Sequence, residues 1–425
     1  MRRCVRLLAA ILVLQAGCAH IGRGRAAEVS TADVYVVLVD GLAVQAAAPD
    51  HMPHLAAAVG TNGSWLTASA VMPTRTNPNH ASLLTGVQPS AHGITGNYYW
   101  DGTAEREMGE ASLLEVETIF TAVERQRPAL TTVTAFAKGK LRHLFGMTPG
   151  RQTGPDFAWR PPNEDVYAAT DDETMDGYRL LVGRYHPAFS IVALAGVDAT
   201  GHGAGPDSDA YRNAVSNADR LFGLLIDDLV RTGRWDRSIV MVTADHGFDA
   251  LLPGTRGHIG PDAVVAGGAH LVADGGTAHV YAGRAGSLDA TIAKASRQPG
   301  VAAIYARTPS RGAVAPPPDW HATNPRMGDL ILIARPGFTF IDGPQDRTCK
   351  FRGNHGGPGE IPIPLIVVGG HPALRRAPAG ERASIVDVVP TVAQLLDVAS
   401  PRRIDGTPVA APDAGRALSE LLGGQ

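Results

Sequence analysis

Continuous apolar runs rich in β-branched residues recur along the chain, and they constrain its fold more than any other feature. The runs are VYVVLV (34–39), TTVTAF (131–136), SIVALAGV (190–197), SIVMVTA (238–244) and PLIVVGG (364–370). Runs without polar alternation are typical of strands that are buried on both faces of a parallel sheet. We therefore predict a large, mostly parallel sheet at the centre of the protein.

Helical patterns lie between these runs. Spacings of three and four give two segments an apolar face, formed by Tyr211, Val215, Ala218, Phe222, Leu225 and Leu229 and by Ile385, Val388, Val389, Val392, Leu395 and Leu396. Strands that alternate with helices predict an α/β fold with helices on both faces of the sheet. Ligands of such sheets bind beyond the carboxyl ends of the strands, where three of the runs end in Asp40, Asp198 and Asp245.

Two segments interrupt the alternation. Residues 141–185 are rich in Pro, Asp and Arg, and residues 250–350 contain GGTAHVYA and GDLILIARPG, which are typical of strands in a smaller subdomain. Beyond residue 350 the chain returns to the main pattern. We therefore expect one domain over residues 28–425, with both segments inserted as a cap over the site.

The N-terminus predicts an export signal. Residues 1–19 combine a basic start, an apolar stretch of about ten residues and a small-residue end, which is too short for a membrane span. The run LQAGC also fits a lipoprotein signal over residues 1–17, with Cys18 as the lipidated residue. We expect a periplasmic or secreted protein that contacts a membrane only through a possible lipid anchor on Cys18.

The cysteine count excludes one class of protein, and the net charge gives no support for another. Cys4, Cys18 and Cys349 are the only cysteines of the 425 residues, so no disulfide framework is possible after signal removal. The formal net charge of −3 gives no reason to expect a nucleic-acid polymer as a partner. An anionic small molecule would need a local positive site.

Six metal-ligating side chains stand at strand ends or in glycine-rich stretches. They are Asp40, Asp198, His202, Asp245, His246 and His355. Asp198 and His202 are four residues apart, and we expect both on the loop that leaves a strand. Taken singly, each aspartate could instead cap a helix, and each histidine could be a solvated loop residue. Together they make a set of N and O ligands without cysteine, which suits two catalytic Zn²⁺ ions, with Mn²⁺ as the second choice.

A threonine precedes a predicted helix in PTRTNPNHASLLTG (73–86). The hydroxyl of Thr76 there has two interpretations. It could cap the helix, which is the common role of Ser and Thr at this place. It could instead be a nucleophile aimed at phosphorus, because a helix N-terminus attracts phosphate and a nearby metal activates an alcohol.

The motifs VLVDG, PTRTNPNHASLLTG, HGITGN, VDATGHGAGP, TADHG and NHGG follow one another between residues 37 and 357. In this order they resemble the nucleotide pyrophosphatase/phosphodiesterase branch of the alkaline phosphatase superfamily. The resemblance implies an alkaline-phosphatase-like fold with Thr76 as the nucleophile and Asn97 as a donor to a phosphate oxygen. It implies one metal on Asp198, His202 and His355, and another on Asp40, Asp245 and His246 together with Thr76.

Two features bear on the substrate. Asn77 stands where nucleotide-handling members carry an aromatic residue, which weakens the case for a nucleotide. AFAKGKLRHLF (135–145) resembles phosphonoacetate hydrolase, in which paired lysines hold the substrate carboxylate. By that resemblance Lys138 and Lys140 would bind a second anionic group; the alternative is that one or both are surface lysines.

The function that we predict is metal-dependent hydrolysis of a small-molecule phosphoric ester, by a threonine nucleophile and two zinc ions. The first alternative is a phosphonoacetate hydrolase-like enzyme that cleaves a C–P bond, although export argues against it. The second alternative is a metal-binding lipoprotein without catalysis.

Overall fold

The apolar runs of the sequence form strands in the computed structural model, which describes residues 32–423 apart from 61, 148–153, 311, 344–349 and 379. The strands are β1 (Asp33–Val39), β2 (Ser64–Ser69), β3 (Tyr98–Trp100), β4 (Glu105–Glu107), β5 (Thr132–Phe136), β6 (Phe157–Trp159), β7 (Phe189–Leu194), β8 (Ser238–Thr243), β9 (Asp249–Ala250), β10 (His258–Ile259), β11 (His270–Asp274), β12 (Thr277–Tyr281), β13 (Val301–Ala306), β14 (Leu330–Ala334), β15 (Thr339–Phe340), β16 (Gly353–Asn354), β17 (Pro362–Gly369) and β18 (Ala383–Ser384).

Helices separate these strands. The α-helices are α1 (Pro53–Val59), α2 (Thr76–Thr85), α3 (Pro89–His92), α4 (Ile119–Gln126), α5 (Asp171–Tyr185), α6 (Gly196–Ala204), α7 (Asp209–Arg231), α8 (Pro261–Val264), α9 (Ser287–Ala295) and α10 (Val388–Leu395). Short 3₁₀ turns lie at Ala111–Leu113, Gly139–Leu141, Trp235–Arg237, Pro318–Trp320, Pro325–Met327, Pro358–Glu360, Ile385–Asp387 and Ser419–Leu421. None of the helices in the described part of the chain is long and apolar enough to cross a bilayer.

The main sheet has eight strands in the order β18-β2-β17-β8-β1-β7-β5-β6. β1 lies between β7 and β8 and runs parallel to both, and all seven of its residues are buried. α5 packs on β5 and β7, and α1 packs on β17. The predicted α/β class, with a large, mostly parallel sheet and flanking helices, is confirmed.

One predicted strand runs the other way. β17 is antiparallel to both of its neighbours, β8 and β2. The expectation that PLIVVGG belongs to the parallel set was wrong in direction, because a strand buried on both faces has the same composition in either orientation. The sheet is therefore mixed on this side of β8.

The strand register brings three chain segments to one edge of the sheet. Val39 pairs with Leu194, and Leu38 pairs with Thr243, so β1, β7 and β8 end side by side. Asp40 and Asp245 lie just beyond these ends. Asp198 was expected in a loop, but it lies in the first turn of α6, which begins two residues after β7 ends.

The segments expected as insertions differ in what they form. Within 250–350, β11, β12, β14 and β13 make an antiparallel sheet, and this sheet has its own hydrophobic cluster, which includes Val280 and Leu332. The segment 141–185 instead gives β6 and α5 to the layers of the main sheet. Packing of α5 on β5 corrects our expectation that this segment only covers the site. The export signal and Cys18 lie outside the described residues.

Candidate metal centre

The first ligand group consists of Asp40, Asp245 and His246, which follow β1 and β8. Ligand atoms of the three side chains lie within 4.8 Å of one another, and all three residues are buried. The Nε2 atom of His246 is 3.5 Å from Asp40 Oδ1 and 3.3 Å from Asp245 Oδ2. Asp245 also accepts a 3.0 Å hydrogen bond from the backbone N–H of Gly41, which ties the ends of β1 and β8 together.

The second ligand group consists of Asp198, His202 and His355, again with ligand atoms within 4.8 Å of one another. Asp198 and His202 stand four residues apart on α6, so both side chains project from one face of the helix. The Nε2 atoms of His202 and His355 lie 3.4 Å and 3.6 Å from Asp198 Oδ1. His355 follows β16 and reaches the site from the glycine-rich loop NHGG.

The two groups adjoin each other. His246 Nε2, from the first group, lies 4.0 Å from Asp198 Oδ1, from the second. The rings of His246 and His355 stack with centroids 3.5 Å apart and planes inclined by 11°. The six side chains that the sequence singled out therefore form one continuous cluster, divided into the two triplets that the resemblance implied.

Backbone carbonyls fix the tautomer of all three histidines. Nδ1 of His202 lies 3.1 Å from the carbonyl oxygen of Gly353, and Nδ1 of His355 lies 2.7 Å from that of Thr74. Nδ1 of His246 is 3.0 Å from the carbonyl oxygen of Gly247. A carbonyl oxygen can only accept, so each Nδ1 carries the proton and each Nε2 presents a lone pair to the aspartates.

The protonation of these rings suits metal ligation. Burial lowers the pKa of His202 to about 3, and it also lowers the pKa of His246 and of His355. The three imidazoles are therefore neutral at physiological pH, which is the form that binds a metal.

Several buried ligand atoms have no hydrogen-bonding partner within the described part of the chain: Asp40 Oδ1, Asp198 Oδ1, Asp245 Oδ2 and His246 Nε2. Orphaned buried acceptors of this kind are costly, and a cation between them removes the cost. The first group offers two aspartates and one histidine, and the second offers one aspartate and two histidines. Each set of three ligands fits a divalent cation of the Zn²⁺ or Mn²⁺ type that keeps a further coordination position open.

Thr76 is the first residue of α2, and its hydroxyl does not cap the helix. The N-cap residue is Arg75, and no side chain caps this end. Instead, Thr76 Oγ1 accepts a 3.3 Å hydrogen bond from Lys138 Nζ. Of the two interpretations of Thr76, the helix cap is therefore excluded in this structure.

Lys138 joins Thr76 to both ligand groups. Its Nζ lies 2.8 Å from Asp40 Oδ2 and 2.7 Å from Asp198 Oδ2, and the residue is 2 % exposed. Burial alone would lower the pKa of Lys138, but the carboxylates of Asp198 and Asp40 raise it above its usual value. Lys138 is therefore a buried cation beside the candidate nucleophile, and it is not a surface lysine.

Lys140 lies among acidic side chains that are not candidate metal ligands. It lines a cavity of about 140 Å³ together with the acidic side chains of Glu107, Glu110 and Glu164. Burial and the neighbouring charge of Lys138 lower the pKa of Lys140 to about 8. Lys138 pairs with two aspartates, whereas Lys140 lies with three glutamates. Binding of a second anionic group by these two lysines stays a prediction.

Asn97 faces the start of α2. Its Oδ1 accepts a 3.0 Å hydrogen bond from the backbone N–H of Asn77, and its own backbone N–H lies 3.3 Å from Asp274 Oδ1. Because the amide oxygen is used in this bond, the amide NH₂ is the group left to donate to a ligand. Asn97 is thus held in place from both sides, next to Thr76.

Sequence reasoning missed two side chains of the site. Tyr167 donates a 2.6 Å hydrogen bond to Asp198 Oδ2. His80 donates from Nδ1 to the carbonyl oxygen of Thr76 at 2.9 Å, and the same atom lies 3.4 Å from Asp245 Oδ2. The spacing of four between Thr76 and His80 was a usable signal, whereas nothing local marks Tyr167.

Comparisons with known proteins agree on one family. The protein-family model described as type I phosphodiesterase / nucleotide pyrophosphatase matches residues 34–358 of the chain. Ectonucleotide pyrophosphatase/phosphodiesterase family member 3 of Mus musculus is 26% identical over 189 residues, which are 42% of this chain and 20% of that protein. Family member 7 of Homo sapiens is 26% identical over 200 residues, 45% of this chain and 42% of that protein. The match spans less than half the length of these relatives.

Solved structures share the fold. Murine ectonucleotide pyrophosphatase / phosphodiesterase 5, an inactive variant in complex with AMP, covers 92% of this chain and 100% of its own, with a TM-score of 0.71 and 22% identity. The human protein of the same name covers equal shares with a TM-score of 0.72 and 21% identity. At these identities the likeness establishes the fold.

Proposed function

The chain belongs to the type I phosphodiesterase / nucleotide pyrophosphatase family, and from this premise we propose that it hydrolyses a small-molecule phosphodiester with Thr76 as the nucleophile. One observation carries the proposal. Lys138 Nζ lies within 3.3 Å of Thr76 Oγ1 and within 2.8 Å of carboxylates from both ligand groups. The candidate nucleophile therefore lies beside both candidate metal positions.

Two bound divalent cations, held by the first and second ligand groups, would lower the pKa of the attacking hydroxyl and offset charge on the attacking and leaving oxygens. Zn²⁺ is the proposed metal, because three N and O ligands with an open position are typical of catalytic zinc. Tyr167 and the carbonyl partners of the histidines hold the ligands in orientation.

The reaction has two displacements. Thr76 Oγ1 forms a bond to phosphorus as the bond to the leaving oxygen breaks; the Thr76 proton passes to solvent and the leaving oxygen takes one from solvent. Water then forms a bond to phosphorus and loses a proton to solvent, the bond to Thr76 Oγ1 breaks, and the threonine takes a proton from solvent. Lys138 donates to Thr76 Oγ1 and stabilises the negative charge that develops there. Two in-line inversions give net retention at phosphorus.

Asn97 supports a diester rather than a monoester. Its neutral amide NH₂ suits the single charge of a phosphodiester, whereas a monoester carries nearly two charges and favours an Arg or Lys partner. A relative was solved with AMP, as an inactive variant in which a threonine is replaced by alanine. That finding supports an essential threonine and a nucleotide-like ligand in that protein. Asn77, buried at the start of α2, stands where the resemblance expects an aromatic residue in nucleotide-handling members, so it argues against a nucleotide here.

A substrate comparison tests this choice. We expect the zinc-loaded protein to hydrolyse bis-p-nitrophenyl phosphate at least about tenfold faster than p-nitrophenyl phosphate or phosphonoacetate, because Asn97 offers one neutral donor. Lys140→Ala is the matched variant, and we expect it to keep the diester rate. Phosphonoacetate as the best substrate, with loss of that activity in Lys140→Ala, would favour the C–P hydrolase. A bound metal pair without hydrolysis of any ester would favour the non-catalytic binder.

We also propose that the protein acts outside the cytoplasm, in the periplasm or after secretion. The support is the sequence of residues 1–19, with its basic start, apolar stretch and small-residue end. Mass spectrometry of the protein from the producing cell is expected to find a mature N-terminus at His20, or at a lipidated Cys18. An intact Met1 on protein recovered from the cytoplasm would contradict export.

A further inference from the structure

The loop that carries His355 is rich in glycine, so its backbone is weakly restrained by its own sequence. Its sequence is NHGGPGE (354–360), and Gly356 has a φ of +119°, in the region that favours glycine. A Cβ atom at Gly356 would stand 2.0 Å from the carbonyl oxygen of Asp274, so no other residue fits. Because glycine restrains the backbone so little, hydrogen bonds to the loop are needed to set the direction of His355.

Thr74 supplies three of these contacts, and it is fully buried. Its carbonyl oxygen accepts the 2.7 Å hydrogen bond from His355 Nδ1. Its hydroxyl accepts a 3.0 Å bond from the N–H of Gly356 and donates a 2.7 Å bond to the carbonyl of Gly357. One residue thus holds the imidazole and the two following peptide groups.

Glu360, at the C-terminal end of the loop, contacts both Gly357 and Thr74. Its Oε2 accepts a 2.7 Å hydrogen bond from the N–H of Gly357 and lies 3.1 Å from Thr74 Oγ1. The single Thr74 proton is used toward Gly357, so the second contact is satisfied when Glu360 donates. Burial and the nearby charge of Asp249 raise the pKa of Glu360 to about 8, which is consistent with a protonated carboxyl group at neutral pH.

We propose that Thr74 and Glu360 are positioning residues that clamp the 355–357 loop and hold His355 in the second ligand group. The proposal rests on the proposed function, since it assumes that this group binds a metal. Neither side chain contacts Asp198 or His202 through any hydrogen bond or ion pair found in the described part of the chain. Their action on the metal therefore passes through the loop.

The clamp also links the second ligand group to the nucleophile. Thr74 lies two residues before Thr76, in the turn that leads into α2. The backbone segment that places Thr76 at the start of the helix is thus the same one that holds His355. We expect loss of the clamp to lower the metal affinity of the second ligand group and to leave the metal affinity of the first group unchanged.

Metal titration of the purified full chain tests the proposal. Thr74→Val keeps the shape of the side chain and the backbone carbonyl but removes the hydroxyl. We expect this variant to bind the first Zn²⁺ with the affinity of the parent protein. We expect it to bind the second Zn²⁺ about 10- to 100-fold more weakly, which is the range for the loss of contacts to a metal ligand. Glu360→Ala is expected to act in the same direction. Thr74→Ser, which retains the hydroxyl, and Glu360→Gln, which retains an acceptor for Gly357, are expected to restore most of the affinity.

Thr391→Val is the matched control. Thr391 is equally buried, and its hydroxyl likewise donates to a carbonyl, of Asp387 at 2.7 Å, and accepts from an N–H, of Leu418 at 2.8 Å. It lies in α10, away from the ligand loop. An unchanged second zinc affinity in both Thr74→Val and Glu360→Ala would overturn the clamp, and so would an equal loss in Thr391→Val. A parent protein that binds no metal pair would instead overturn the proposed function.

Discussion

Replacing Thr76 by alanine is expected to lower phosphodiester hydrolysis by about 10⁴-fold or more, because the attacking oxygen is removed. Thr76 Oγ1 makes its hydrogen bond with Lys138, and the helix end is not capped by this hydroxyl. We therefore expect the variant to fold normally and to keep both metals. The measurements are kcat on bis-p-nitrophenyl phosphate, metal content by mass spectrometry, and the thermal unfolding temperature.

Thr76→Ser is the control for this variant, because it keeps an oxygen in the same place and is expected to retain measurable turnover. A second readout is covalent. The parent protein, quenched with acid during turnover, is expected to carry phosphate on the peptide that contains Thr76, and Thr76→Ala is expected to carry none. Near-parental activity of Thr76→Ala, or a phosphopeptide elsewhere, would refute the nucleophile.

Removal of the metals is expected to have the second largest effect. Three buried aspartates, Asp40, Asp198 and Asp245, meet here with Lys138 as the nearby lysine cation. Chelation is therefore expected to abolish hydrolysis and also to lower stability. A ligand present at about 100 times its Kd stabilises the folded state by roughly 2.7 kcal/mol, and this amount is lost for each metal.

Single ligand variants separate the two positions. His246→Ala, in the first ligand group, and His202→Ala, in the second, are each expected to lose one of two metals and most activity. His92→Ala is the matched control, since His92 is a fully buried histidine that bonds Ser82 and lies outside both groups. The metal proposal fails if the chelated protein hydrolyses the diester at the parental rate, or if His92→Ala loses metal as the ligand variants do.

Much of the main sheet was predictable because burial on both faces leaves a clear pattern. β1, β7 and β8 are continuous apolar runs, and each ends where a ligand-bearing segment begins. The direction of β17 was not predictable from its composition. The position of Asp198 in a helix was also missed, since GVDATGHGA contains three glycines and has low intrinsic helix propensity. Packing against α7 stabilises a helix there that local preference disfavours.

The six candidate ligands were predictable because Asp and His at strand ends are chemically conspicuous. The residues that orient them were harder to predict. Tyr167 bonds Asp198 from 31 positions away, and Thr74 and Glu360 are 286 positions apart. No local pattern marks such pairs, because their role exists only once the fold has brought them together. Lys138 was singled out, but its burial among carboxylates follows from tertiary packing alone.

Two members of the second ligand group precede the 250–350 segment in the sequence, and the third follows it. This separation sets an order in which the two ligand groups can form. Asp198 and His202 are made early, whereas His355 leaves the ribosome only after the whole 250–350 segment has been translated. The first ligand group is complete once residue 246 has emerged. In the proposed binuclear centre, the first ligand group can therefore form without the 250–350 segment, whereas the second group forms only when that long loop is closed.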